Sequence, residues 1–232
     1  MRHLTIVRGT LVREVIGELL GNAGAAAIAP LPLIALSLLL MSSHPIRSGL
    51  SYLVGWFVGN GLPAALAIMV GVGVDGRSEQ RGGAWVNLVL GVLLVAMAVR
   101  TFRGRPRAGE PVKTPGWMKS LDTASPARVA VIGLALALVN AKNLPLSIAA
   151  GTLIAGSGLS DGSKLILLAT YCAIASISIL LPIVYRIAAG DRAAAKLEKV
   201  GGWLMANNAS IMTALFFVMG LSTFGNGLAA VG

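Results

Sequence analysis

The sequence predicts an all-α, polytopic membrane protein of six transmembrane helices in two inverted three-helix repeats, and three observations carry that prediction. Of its 232 residues 56% are apolar and 12% are charged, about half the charge of a soluble domain. The apolar residues fall in six runs, each long enough for a helix to cross the hydrocarbon core of a bilayer. The charges, net +10, gather in the connections between runs. This distribution excludes an ordinary soluble enzyme. It also lacks the continuous basic face of a nucleic-acid binder, so no nucleic acid is expected as partner. The single cysteine, Cys172, leaves no pair for a disulfide or a two-thiol redox centre.

The first run, Leu19–Met41, follows a mixed segment that carries Arg8, Arg13, Glu14 and Glu18. Ala25–Ala27 only faintly resembles a leader cleavage site, and the apolar run continues past it, so an uncleaved span is expected. The second run, Gly49–Gly73, holds Gly55-Trp56-Phe57-Val58-Gly59, a small-xxx-small spacing that lets helices approach closely in lipid. The third, Gly82–Val99, is bracketed by Arg81 and Arg100. Arg100–Arg128 then reads as a basic linker punctuated by Pro106, Pro111, Pro115 and Pro126. The fourth run, Val129–Gly156, contains one charge, Lys142, and the fifth, Leu165–Tyr185, contains none. Asp191–Val200, with Arg192, Lys196, Glu198 and Lys199 among alanines, reads as a helix on the membrane surface. Trp203–Gly225 is the sixth run.

Three runs on each side of the linker divide the chain into a first repeat over 1–100, a linker over 101–127 and a second repeat over 128–232. An offset of 113 brings Leu31-Pro32-Leu33 onto Leu144-Pro145-Leu146 and Gly49 onto Gly162. An odd number of spans per half inverts the second half relative to the first, a plan common among secondary transporters. Outside the runs, the connections after spans one, three and five carry twelve Lys and Arg, and the other side carries six. Excess positive charge stays cytoplasmic, which places both termini outside.

Lys142 is the leading candidate for chemistry. Some 14 residues of apolar helix flank it on either side, which puts it roughly 20 Å from each end. A lysine at that depth costs on the order of 2.5–3.5 kcal/mol on insertion scales and usually pairs with something or faces a cavity. Three roles are open to it: a structural clamp on carbonyls freed by a nearby helix break, a counter-charge for an anion, or a proton carrier. Pro30 and Pro32 fall near the middle of span one and Pro145 near the middle of span four. Each removes a backbone donor and frees carbonyls where no water can reach them. Matched midplane breaks point to a substrate site, and Asn140, Asn143 and Asn60 join Lys142 and the three prolines as its candidate residues. Asn87, Thr170, Tyr171, Ser176, Ser178, Asn207 and Asn208 are expected to bond between helices, and Pro63 and Pro182 to kink them. No catalytic constellation emerges, and neither metal nor cofactor is expected. His3 and His44 lie at opposite ends of the first span, and no span holds paired carboxylates.

The run Ile28-Ala29-Pro30-Leu31-Pro32-Leu33-Ile34-Ala35, together with Gly55-Trp56-x-x-Gly59 and Asn140-Ala141-Lys142-Asn143, resembles the GAP family over about Glu14 to Gly225. These are mycobacterial peptidoglycolipid or sulfolipid-1 addressing proteins, grouped with the LysE exporter superfamily. The resemblance implies a multi-pass protein of an actinobacterial inner membrane that moves an anionic glycolipid or peptidoglycolipid toward the cell surface. Its expected partners are the lipid cargo, a lipid-synthesis or export complex, and a second copy of the chain. LysE-type exporters carry Asn-Pro-Lys in span four. Here alanine stands between Asn140 and Lys142 and Pro145 lies three residues on, which sets the chain apart from amino-acid and ion exporters. A LysE-type small-solute exporter and a non-transporting scaffold that docks through the basic linker remain the alternatives.

Overall fold

A computed structural model describes residues 2–71, 80–105, 124–140 and 142–231, with the backbone alone for 2–14, 80–84, 86–87 and 230–231. All regular structure among the described residues is helical. In chain order the helices are α1 (Arg2–Ala27), α2 (Pro30–Leu39), α3 (Pro45–Val70), α4 (Gln80–Arg103), α5 (Pro126–Leu138), α6 (Asn143–Gly156), α7 (Asp161–Ala175), α8 (Ile177–Ala189) and α9 (Asp191–Val231). Helices α3 and α9 are long and apolar enough to cross a membrane. Three bent pairs, α1/α2 at 54°, α5/α6 at 77° and α7/α8 at 61°, raise the number to five if each pair is one span. Two to five spans thus stand among the described residues against the six expected, with the third run, Gly82–Val99, lying inside α4.

Proline chemistry accounts for the first break. Pro30 has no N–H to give the carbonyl of Ala26, and its ring clashes with that carbonyl. The chain therefore leaves the helix at Ala27 and starts α2 with Pro30 in the first turn, where a missing N–H costs nothing. Pro145 likewise falls in the first turn of α6, after the break that separates it from α5. The offset of 113 carries Pro30, the first residue of α2, onto Asn143, the first residue of α6, so the two helix restarts coincide. The third break falls at Ser176, between α7 and α8, and Pro182 lies beyond it inside α8. Pro63 sits inside α3 without ending it.

The surface helix expected at Asp191–Val200 and the span expected at Trp203–Gly225 form one continuous helix, α9. Gly201 and Gly202 weaken a helix by about 1 kcal/mol each, and with no proline nearby that does not terminate it. Most of the basic linker, with Arg107, Lys113 and Lys119, lies outside the described residues.

The chain divides into two compact units, Met1–Gly73 with Pro115–Gly201 and Val74–Thr114 with Gly202–Gly232. The second unit packs α4 on the later part of α9 through glycines. A Cβ on Gly91 would stand 2.6 Å from Cβ of Phe224, and one on Gly220 would stand 2.9 Å from the backbone nitrogen of Val95. In the first unit α3 packs on α5, α6 and α7, and α1 on α6 and α7. Its core combines Leu19, Ala23 and Ala26 of α1 with Ala150 and Ile154 of α6 and Tyr171 and Ala175 of α7. The outward faces are apolar too. Val54 is 59% exposed, Leu181 60% and Val218 65%, a surface that water would not tolerate on this scale and that hydrocarbon covers without cost.

Candidate functional site

The end of α1 leaves the carbonyls of Ala25, Ala26 and Ala27 without their usual helical donors, and side chains from two other helices supply replacements. The Lys142 ammonium, at the start of α6, donates to the carbonyls of Ala25 and Ala26. The Ser178 hydroxyl of α8 donates to Ala27. Lys142 also donates to Oδ1 of Asn143 at 2.8 Å, which engages all three of its N–H groups. It is 1% exposed, and no carboxylate stands among its described partners. The cation is therefore held by three neutral oxygens.

From Lys142 a chain of buried hydrogen bonds continues. Asn143 Nδ2 donates to Asn60 Oδ1 at 3.1 Å, and Asn60 Nδ2 donates to the Trp56 carbonyl at 2.9 Å. Trp56 Nε1 donates at 3.2 Å to the carbonyl of Ala175, the last residue of α7. The break after Ala27, the break between α5 and α6 and the break after Ala175 are thus joined through α3 by one polar path. A buried hydrogen-bonded network of this kind restrains the arrangement of its members.

Three of the sequence-derived candidates, Lys142, Asn143 and Asn60, meet in this cluster. Asn140 caps the break, its Oδ1 accepting from the Lys142 backbone N–H at 3.1 Å. Pro30 and Pro32 are buried in α2, and the Pro32 carbonyl accepts from the Tyr52 hydroxyl at 3.1 Å. Pro145 is exposed; it shapes the turn and makes no part of the cluster's hydrogen bonding.

Tyr52, Trp56 and Ser178 escaped the sequence reading as site residues. A signal was present, because Tyr52, Trp56 and Asn60 recur at i, i+4 and i+8, a single helix face, and all three are fully buried. Of the polar residues expected to bond between helices, Ser178 does so and Tyr171 pairs with Ser147 of α6 at 2.9 Å. Thr170 and Asn207 instead donate to carbonyls four residues back in their own helices, the local solution for a hydroxyl or amide facing hydrocarbon. Replacing Trp56 by Phe keeps the ring and strands the buried Ala175 carbonyl. A loss of about 1–3 kcal/mol is expected, read as a lower unfolding temperature of the purified protein in detergent, with the protein still inserted in the membrane.

An apolar cavity of about 430 Å³ opens between α3, α5 and α6, lined by Leu66 and Val70 of α3, Leu138 of α5, and Leu144, Ile148 and Thr152 of α6. No group of His, Cys, Asp or Glu that could hold a metal ion occurs among the described residues.

Apolar helices broken around a buried cation define a helical membrane protein with a polar centre inside its spanning segments. A family model described as Sap, sulfolipid-1-addressing protein, matches residues 19–229. The chain belongs to the sulfolipid-1-addressing protein family. No curated protein and no solved structure matches it. Membership implies a lipid-related membrane function.

Proposed function

We propose that the protein is a non-enzymatic transporter of the inner membrane that moves an anionic glycolipid toward the cell surface. Its headgroup engages Lys142 where the broken helices meet. The observation that carries this reading is the Lys142 ammonium, buried to 1% exposure and bonded only to neutral oxygens in the described residues. A buried cation without a counter-ion costs several kcal/mol, and such residues mark substrate and ion pathways. A sulfate, phosphate or carboxylate makes shorter and about twofold stronger hydrogen bonds than a neutral carbonyl. It would therefore draw the ammonium away from Ala25 and Ala26.

That exchange has a structural consequence. Releasing the two carbonyls unpins the end of α1, so the bend between α1 and α2 becomes free to change when cargo arrives. The coincidence of the helix restarts at Pro30 and Asn143 under the offset of 113 supports six spans in two inverted halves of the LysE kind, with the site on the axis between them. The excess of basic residues in the connections after spans one, three and five supports termini outside. Cargo that is multiply acylated keeps its tails in the bilayer, and only its headgroup needs the polar centre.

The test is a lipid inventory of the cell surface in cells with and without the protein. Anionic glycolipid should fall at the surface and accumulate inside when the protein is absent. Efflux of labelled amino acids or ions from vesicles, with no lipid moved, would instead assign the protein to small-solute export.

A further inference from the structure

The first turns of α9 carry three cations that the polar centre does not use. Arg192, Lys196 and Lys199 recur at i, i+4 and i+7, which sets them on one helix face. All three are exposed, and none makes an ion pair among the described residues. Ala193, Leu197 and Gly201, at i, i+4 and i+8, form a different face and are buried. A Cβ on Gly201 would stand 2.8 Å from Cβ of Ser37 in α2. Packing therefore fixes the rotation of this segment and turns the basic stripe outward. Two carboxylates lie nearby in sequence, and neither neutralises the stripe. Asp191 is bonded to Arg186 at 2.9 Å, and Glu198 is turned about 100° around the helix from Lys199. Lys196 Nζ stands 6.0 Å from the centre of the Tyr185 ring, the outer limit of a cation–π contact, which leaves its N–H groups for other acceptors.

The course of α9 beyond the stripe identifies its occupant. The helix runs without a break into the apolar run that opens at Trp203, and Trp203 continues the same face at i+11 from Arg192. It is 59% exposed, an indole placed where spanning helices meet the headgroups. At 1.5 Å per residue Lys199 stands about 6 Å and Lys196 about 10 Å outside Trp203. A headgroup layer is roughly 5–8 Å deep, and lysine stems extend toward it. Arg192, about 16 Å out, stands about one Debye length beyond that layer. From this we infer that the Arg192–Lys196–Lys199 face binds the phosphate groups of anionic phospholipids in the leaflet where α9 enters the membrane. A soluble acidic partner would need cations that project clear of the bilayer, and two of these three lie at headgroup depth. Binding here does not depend on the cargo of the polar centre. It does bear on α2, because Arg186, the partner of Asp191, also donates to the Leu40 carbonyl at the end of α2, 3.3 Å away. Lipid held on the start of α9 steadies that junction, so anionic lipid stabilises the protein.

Thermal unfolding of the full-length protein in a neutral detergent tests the inference, with phosphatidylglycerol or phosphatidylcholine of identical chains titrated in. Each cation near an anionic surface changes affinity roughly fivefold. Half-maximal stabilisation should therefore need at least about tenfold less phosphatidylglycerol than phosphatidylcholine. The difference should vanish in about 0.5 M salt, where the Debye length falls below about 5 Å. Arg192→Gln, Lys196→Gln and Lys199→Gln combined should abolish the preference, and since all three positions are exposed the fold is expected to tolerate them. The charge-keeping combination Arg192→Lys, Lys196→Arg and Lys199→Arg should retain it, as should Lys164→Gln at the start of α7. Equal response of the wild-type protein to the two lipids, or a preference that salt does not move, overturns the inference whether or not the glutamine variant folds. A preference that persists in the glutamine variant also overturns it and leaves the stripe to an acidic protein partner. A preference lost in Lys142→Met and kept in the glutamine variant assigns the lipid to the polar centre, which overturns the inference and keeps the function proposed above.

Discussion

Lys142→Met is expected to reduce surface anionic glycolipid to the level of cells that lack the protein. Methionine fills a similar volume without a charge, so the variant removes the cation and keeps the packing. It also leaves the Ala25 and Ala26 carbonyls and Asn143 Oδ1 without their donor. Each stranded buried group costs about 1–3 kcal/mol, and a clearly lower unfolding temperature should accompany the loss of export. Instability alone could mimic a transport defect, and Ser178→Ala supplies the comparison. That change strands the Ala27 carbonyl at the same helix end and leaves the ammonium in place. It should lower the unfolding temperature while export continues. Lys142→Arg keeps the charge with a bulkier, planar donor set, and should insert normally with reduced export. If Lys142→Met exported at the wild-type level, the ammonium would be a structural clamp and no more.

The second large effect is expected at Gly55. A Cβ there would lie 1.8 Å from the carbonyl oxygen of Ala130 and 2.9 Å from the backbone nitrogen of Leu134. Both are main-chain atoms of α5, so no side-chain rotation relieves the clash. On the opposing helix a Cβ on Gly133 would lie 2.4 Å from the Tyr52 carbonyl oxygen. The two backbones touch here without side chains between them, and lipid offers no hydrophobic drive to replace that packing. Gly55→Ala must push α5 outward along the helix that carries Tyr52, Trp56 and Asn60. A cost of about 3 kcal/mol or more is expected, at the upper end for overpacking. The readout is a collapse in the yield of monodisperse protein. Gly24→Ala is the control, since nothing lies within 4 Å of that Cβ. As a Gly-to-Ala change inside a helix, it should be neutral or stabilise by up to about 1 kcal/mol.

Much of this architecture was legible in the residues because its causes are local. Proline removes a helical donor from its own residue, so Pro30 announced the α1/α2 break and the run around Lys142 and Pro145 announced the α5/α6 break, although Pro63 and Pro182 stay inside their helices. Gly55 and Gly59 announced a close approach, and a lone lysine in an apolar run announced a buried cation. The partners were not legible. Lys142 bonds to backbone carbonyls more than a hundred residues away, and every residue carries such a carbonyl. The Trp56 bond to Ala175 was hidden for the same reason. The break at Ser176 carries no proline at the position itself, which is why the fifth run read as a single rod. The continuity of α9 was missed because charge composition separates Asp191–Val200 from the apolar run after it, and composition says nothing about whether the backbone breaks.

The decisive observable is where the Lys142 ammonium goes when cargo binds. A structure of the protein with a sulfated glycolipid bound should show a headgroup oxygen about 2.7–2.9 Å from Lys142 Nζ and the Ala25 and Ala26 carbonyls released. The same lipid bound elsewhere, with the ammonium still on those two carbonyls, would contradict it.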